Sequence, residues 1–301
     1  MSFEVSYVVP SDKTAPDVSQ MEMAISKLPY TTREEDPQES EWGFEYLNPE
    51  TGVTCSFRYT APSPTGFAAG RPRESGLKVS LPLMCPTFIG REACPIVEQI
   101  GRSLNLGALL LASGDYIEDC DAGRLQVIWT ESNRSATEKL GIGTGRLPPY
   151  FPRERLDEMW RYMNARKLLE TRYSAKGIYV PRVILIQNKL DRKQTFMAAM
   201  WAEMGPAVFP EVDSFVIGKP IKTLLGLVNT GDFIPVVVRA KTVMKHVEPR
   251  LRHVDRPIAH RILENAGPVR GPILRSMNEV LTPPFRNFET LGIEEVVDNR
   301  I

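Results

Sequence analysis

Two alternating stretches, Trp42–Leu47 and Val53–Tyr59, flank the pentapeptide Asn48-Pro49-Glu50-Thr51-Gly52. Successive side chains of a strand point to opposite faces, so a two-residue apolar period asks for a half-buried β-strand. Asparagine opens a turn by bonding its own backbone, proline presets φ, and glycine takes the positive φ that closes the loop. Together they predict a β-hairpin over residues 42–59. This hairpin breaks the regular strand–helix alternation that a doubly wound parallel sheet requires.

The rest of the chain extends that pattern. Phe3–Val9 reads as a strand ended by Pro10, and Asp17 caps a short helix carrying Met21, Ile25 and Leu28 at helical spacing. Residues 61–75 are rich in Pro, Gly, Ala and Ser and read as a loop. Gly76–Leu81 resumes a strand, and a helix over about Gly90–Leu104 places Ala93, Val97, Ile100 and Leu104 on one face. Arg124–Trp129 reads as a strand, with Ser132 or Asn133 capping a short helix after it. Gly141–Pro152 reads as a linker, followed by a helix from Pro152 to Tyr173. Strand signals return at Ile178–Gln187, Thr195–Trp201 and Val212–Ile217. A helix is expected near Ile258–Asn265, and Pro272, Pro283 and Pro284 argue against a long regular element in the tail. The expected fold is α+β: mainly antiparallel sheets with helices on one face, in two similar-sized lobes. Residues 1–140 form the N-terminal lobe, 141–175 a linker and long helix, and 176–301 a C-terminal lobe with an irregular end.

Charge narrows the partners. Lys plus Arg and Asp plus Glu each number 37, so the cationic field that drives nonspecific nucleic-acid binding is missing and nucleic acid is not the expected partner. The zero total hides a local bias. Residues 1–70 hold eleven acids against four bases, with Glu34, Glu35, Asp36, Glu39 and Glu41 in one run, whereas Lys245–Arg275 holds seven bases against three acids. No basic-then-apolar leader opens the sequence and no apolar run is long enough to span a bilayer, so a cytoplasmic chain with no membrane partner is expected.

Candidate chemistry is sparse. Cys55, Cys85, Cys94 and Cys120 have no CxxC spacing and read as reduced, buried thiols. Asn188-Lys189-Leu190-Asp191 follows a buried-strand signal and resembles the guanine-reading segment of GTPases, yet no GxxxxGK[ST] loop precedes it. It reads as a polar turn, and the glycine-rich Gly141–Arg146 as a linker. A nucleotide-binding protein or an enzyme with a site assembled from distant residues is the alternative reading, with Asp191 and Asp213 its first suspects. His246, His253 and His260 lie seven apart, but Pro249 and Pro257 break the helix that would align them, so no metal site is expected. Asp115, Glu118, Asp119 and Asp121 lack calcium-loop order and read as a solvated turn. Trp129, Trp160 and Trp201 read as core anchors. No catalytic residue and no cofactor is expected.

Two stretches carry a resemblance. Tyr46–Phe57, YLNPETGVTCSF, is similar to a hairpin found in uncharacterised bacterial proteins encoded near polymorphic or contact-dependent toxins, with Gly76–Pro82 and Arg91-Glu92-Ala93 as its continuation. Trp201 with Val208–Asp213 (VFPEVD) resembles a tryptophan and strand of the same proteins. The resemblance implies a non-enzymatic immunity protein that neutralises a cognate toxin by direct contact. The acidic run Glu34, Glu35, Asp36, Glu39 and Glu41 is then the expected partner-binding segment, steering association with a basic surface.

Overall fold

The structure is a computed structural model and describes residues 1–34, 41–62, 72–144, 148–222 and 229–298. The expected hairpin is present as β3 (Glu41–Leu47) and β4 (Thr54–Thr60), with Tyr46 opposite Cys55 and Phe44 opposite Phe57. Gly52 has φ 74° and its N–H donates to the Asn48 carbonyl, closing the turn. The fold is α+β with predominantly antiparallel sheets.

The chain divides into two units, one of Met1–Arg153 with Ile293–Ile301, the other of Glu154–Gly292. In the first, β1 (Ser2–Val9), β2 (Thr31–Glu34), β5 (Arg73–Pro82), β6 (Gly107–Leu110) and β7 (Tyr116–Ile117) join the hairpin in one antiparallel sheet, ordered β2-β3-β4-β5-β1-β6-β7. Phe44, Phe57, Val79 and Val5 stand directly across from one another and are all buried, so one row of apolar side chains spans four strands. The neighbouring row, Glu45, Ser56, Ser80 and Glu4, turns polar groups to the opposite face. Helix α1 (Val18–Ser26) starts at a capping box in which Asp17 and Gln20 each accept from the other's backbone N–H, so two otherwise unpaired donors are satisfied. Helix α2 (Phe88–Leu104) buries Ala93, Val97, Ile100 and Leu104 as its spacing requires, and Tyr7 of β1 donates to the Val97 carbonyl.

Helix α3 (Ala122–Thr144) replaces the strand expected at Arg124–Trp129. Leu125 and Trp129, four residues apart, are buried while Val127 between them is 58% exposed, which is a helical period and not a two-residue one. Asp121 accepts from the Arg124 N–H at the helix start, so Ser132 and Asn133 lie inside the helix and cap nothing. Asn133 is fully buried; its amide both accepts from the Cys85 N–H and donates to the Cys85 carbonyl, as a strand neighbour would.

The second unit opens with α4 (Arg153–Tyr173) and builds a five-stranded sheet. Its strands are β8 (Val183–Asn188), β9 (Thr195–Met200), β11 (Ser214–Lys222), β12 (Asn229–Arg239) and β15 (Phe288–Leu291), ordered β12-β11-β9-β8-β15 with only β9 and β11 parallel. Ile186, Ala198, Val216, Val237 and Phe288, one from each strand, form a core cluster. A smaller antiparallel sheet runs β10 (Ala207–Phe209), β14 (His260–Leu263), β13 (Arg252–Val254). Helices α5 (Ala240–Val247) and α6 (Gly267–Glu279) pack together.

Two expectations for the tail fail. In place of the helix expected at 258–265, His260–Leu263 is the strand β14, because it is paired on both edges and the backbone bonds of two neighbours outweigh local helix preference. The prolines also permit the 13-residue α6: Pro268 sits in its first turn, where no N–H is needed, Pro272 removes one bond, and Pro283 and Pro284 follow its end. The last described residues return to the first unit. Val297 exchanges backbone bonds with Pro149 and Phe151, and Asp298 accepts from both the N–H and the hydroxyl of Thr87 at the start of α2.

Candidate functional site

The residues of the sequence resemblance meet in space. Tyr46, Asn48 and Thr51, from the end of β3 and its turn, all donate to one oxygen of Glu92 on α2, at 3.1, 2.8 and 3.0 Å. Asn48 does two things at once: its side-chain oxygen accepts from the Glu50 N–H to shape the turn while its amide reaches Glu92. Burial, and then the adjacent Glu92 carboxylate, push the Tyr46 phenol well above its ordinary range, so it stays a donor. The hairpin is thus clipped to the helix that covers it. The second stretch behaves alike: the Trp201 ring packs edge-on to Phe209 with centroids 4.9 Å apart, and Asp213 accepts from the Met197 N–H and from Arg155. These groups hold the fold together.

Of the expected partner-binding acids, Glu34 ends β2 and Glu41 begins β3, while Glu35, Asp36 and Glu39 lie outside the described residues. The Glu34 carboxylate lies over Gly43, where a Cβ would come within 2.5 Å of it, and reaches Arg58 at 4.0 Å. It is partly neutralised across the sheet. Glu41 is half-buried opposite Thr60.

The Asn188–Asp191 segment spends its polar groups locally. Asn188 accepts from the Leu190 N–H, Asp191 from the Lys193 N–H and the Gln194 amide, and Lys189 donates to the Arg286 carbonyl. It is a turn between β8 and β9, with Leu190 at its tip 89% exposed. The end of the glycine-rich stretch, residues 145–147, lies outside the described residues, and Gly141–Thr144 close α3. The three histidines fall on α5, β13 and β14, and no group of three metal-ligating side chains occurs among the described residues. His260 is held between the Tyr173 hydroxyl and the Ile258 carbonyl, and burial lowers its pKa. All four cysteines are free and buried, and burial pushes Cys94 and Cys120 up to about 12. Such thiols are poor nucleophiles at neutral pH.

One cleft in the second unit gathers ionisable groups that sequence reading did not join. Phe209 of β10, Arg261 of β14 and His253 of β13 stand in a single cross-strand row and all line a cavity of about 390 Å³. Glu158, Met159, Arg161 and Tyr162, on one face of α4, form its wall, and Glu211 its rim. The three strands are three or four residues long and come from separate segments, so no sequence period exposes the row.

No protein-family model, curated protein or solved structure matches the chain. No helix among the described residues is long and apolar enough to cross a membrane.

Proposed function

We propose that this chain is a non-enzymatic immunity protein that neutralises a cognate toxin by direct protein–protein contact. The observation that supports the reading is the convergence of Tyr46, Asn48 and Thr51 on Glu92. The hairpin and its continuation at Arg91-Glu92-Ala93, which together carry the first part of the resemblance, act here as one hydrogen-bonded unit. Such a clip stiffens the scaffold, and a stiff scaffold serves binding because little conformational freedom is lost on association. Steering falls to the acidic run from Glu34 to Glu41, opposite a basic toxin surface.

The test is co-expression of the chain with the product of its adjacent gene in a bacterial host. The neighbour alone should arrest growth, the pair should grow, and the two should elute together as a stoichiometric complex. Reversing Glu35, Asp36 and Glu39 to lysine should slow association by about tenfold or more at low salt and by less at high salt. A harmless neighbour that forms no complex would remove the reading.

A further inference from the structure

Several bases of the second unit make close bonds to partners: Arg155 to Asp213, Arg252 to Glu264, Arg166 to Glu170 and Lys189 to the Arg286 carbonyl. Arg261 in the cleft is different. Its side chain is only 21% exposed, and its nearest carboxylates, Glu211 and Glu248, stand 3.8 and 3.9 Å away. Both are beyond hydrogen-bond reach, and the guanidinium makes no hydrogen bond among the described residues. A guanidinium offers five donors in a planar fork that matches a carboxylate bidentately, and leaving it mostly desolvated without such a bond is unfavourable. It also lines an adjoining cavity of about 170 Å³, so it has space on two sides.

The surroundings define what could pair with it. The Glu211 carboxylate is 65% exposed and adjoins Arg261 at the rim, while Glu158 and Arg161 add one charge of each sign from α4. The lining holds Glu158 and Glu211 against Arg161 and Arg261, so a plain anion would meet two carboxylates on entering. A ligand bearing both charges would meet neither penalty. Phe209, Met159, Tyr162 and Val183 supply an apolar floor, and about 390 Å³ falls within the roughly 300–1,000 Å³ of ordinary small-molecule sites.

We infer that this cleft binds a free α-amino acid with a large apolar side chain, its carboxylate on Arg261, its ammonium on Glu211 and its side chain against Phe209 and Tyr162. An α-amino acid places its two charges on one carbon, which suits an arginine and a glutamate standing side by side. The site is independent of the toxin-binding reading and would hold or fail without it.

Titration calorimetry on the full chain with L-phenylalanine tests it, alongside N-acetyl-L-phenylalanine, which lacks the ammonium, and phenethylamine, which lacks the carboxylate. L-phenylalanine should bind, and each analogue should bind at least about tenfold more weakly. Arg261→Met preserves the stem and removes the fork; Glu211→Gln changes an exposed group and leaves folding intact. Each should weaken L-phenylalanine by about tenfold or more while the thermal transition of the free protein stays within a few degrees. If Arg261→Met unfolds, Glu211→Gln with the phenethylamine comparison decides alone. Equal binding of the N-acetyl analogue, unchanged affinity in Glu211→Gln, or no heat with L-phenylalanine at about ten millimolar would each overturn the assignment.

Discussion

Replacing Asn48 by aspartate is the sharpest perturbation of the hairpin–helix clip. The side chains are isosteric, and the aspartate oxygen can still accept from the Glu50 N–H, so the turn is preserved. What changes is the 2.8 Å bond to Glu92, which becomes a contact between two carboxylates. A hydrogen bond to a charged group contributes about 1.5–3 kcal/mol. Two unit charges about 3 Å apart repel by roughly 5–6 kcal/mol at an effective dielectric near 20. The pair escapes that repulsion by binding one proton, which costs a carboxyl of pKa near 4 only about 4 kcal/mol at about pH 7. Because Glu92 is half-buried and water screens it, the expected loss at about pH 7 is ~3 kcal/mol. The folded-state pKa of the pair is raised above its unfolded value. The variant is therefore closest to wild type below about pH 4, where both states are protonated and the shared proton restores a donor, and it loses stability as pH rises through the raised pKa. Urea midpoints of both proteins at about pH 4 and pH 7 measure this, with hydrogen exchange on β3–β5 assigning the transition to the first unit. Adding Glu92→Gln to the aspartate variant should recover about 2 kcal/mol at neutral pH, since the glutamine amide donates where the carboxylate repelled. A loss below about 0.5 kcal/mol, or one that does not change with pH, would refute the clip.

Ending the chain at Gly292 should lower the stability of the first unit by about 3–6 kcal/mol, because buried Ile293, Val296 and Val297 and the Asp298–Thr87 bonds are lost together; a urea midpoint unchanged for β1–β5 amides would contradict this. Gly90→Ala places a Cβ 2.3 Å from the Trp129 ring, so the usual helix gain of about 1 kcal/mol should be reversed into a net loss of about 1–3 kcal/mol, read from the thermal midpoint. The four thiols should resist a disulfide reagent at about pH 8 in the native protein and react fully in denaturant, since burial holds Cys94 and Cys120 at about 12 and Cys55 and Cys85 higher still. Fast native labelling at any of the four would show that the site opens.

Local chemistry determined much of this architecture. The Asn-Pro-Glu-Thr-Gly turn, the Asp17–Gln20 capping box and the apolar stripe of α2 act within four residues of themselves, so they were legible in the chain and appear where spacing puts them. Tertiary contacts decided the rest. Arg124–Trp129 alternates well enough for a strand, but Leu125 and Trp129 bury together only on a helix. His260–Leu263 became a strand because β10 and β13 both bond to it. The resemblance stretches lie more than forty residues apart, and only the packed fold brings Asn48 to Glu92. In the same way Phe209, Arg261 and His253 have no common period, yet pairing of three short strands sets them in one row. Short-range forces are written in neighbouring residues, whereas a cleft is a property of which distant segments share a sheet.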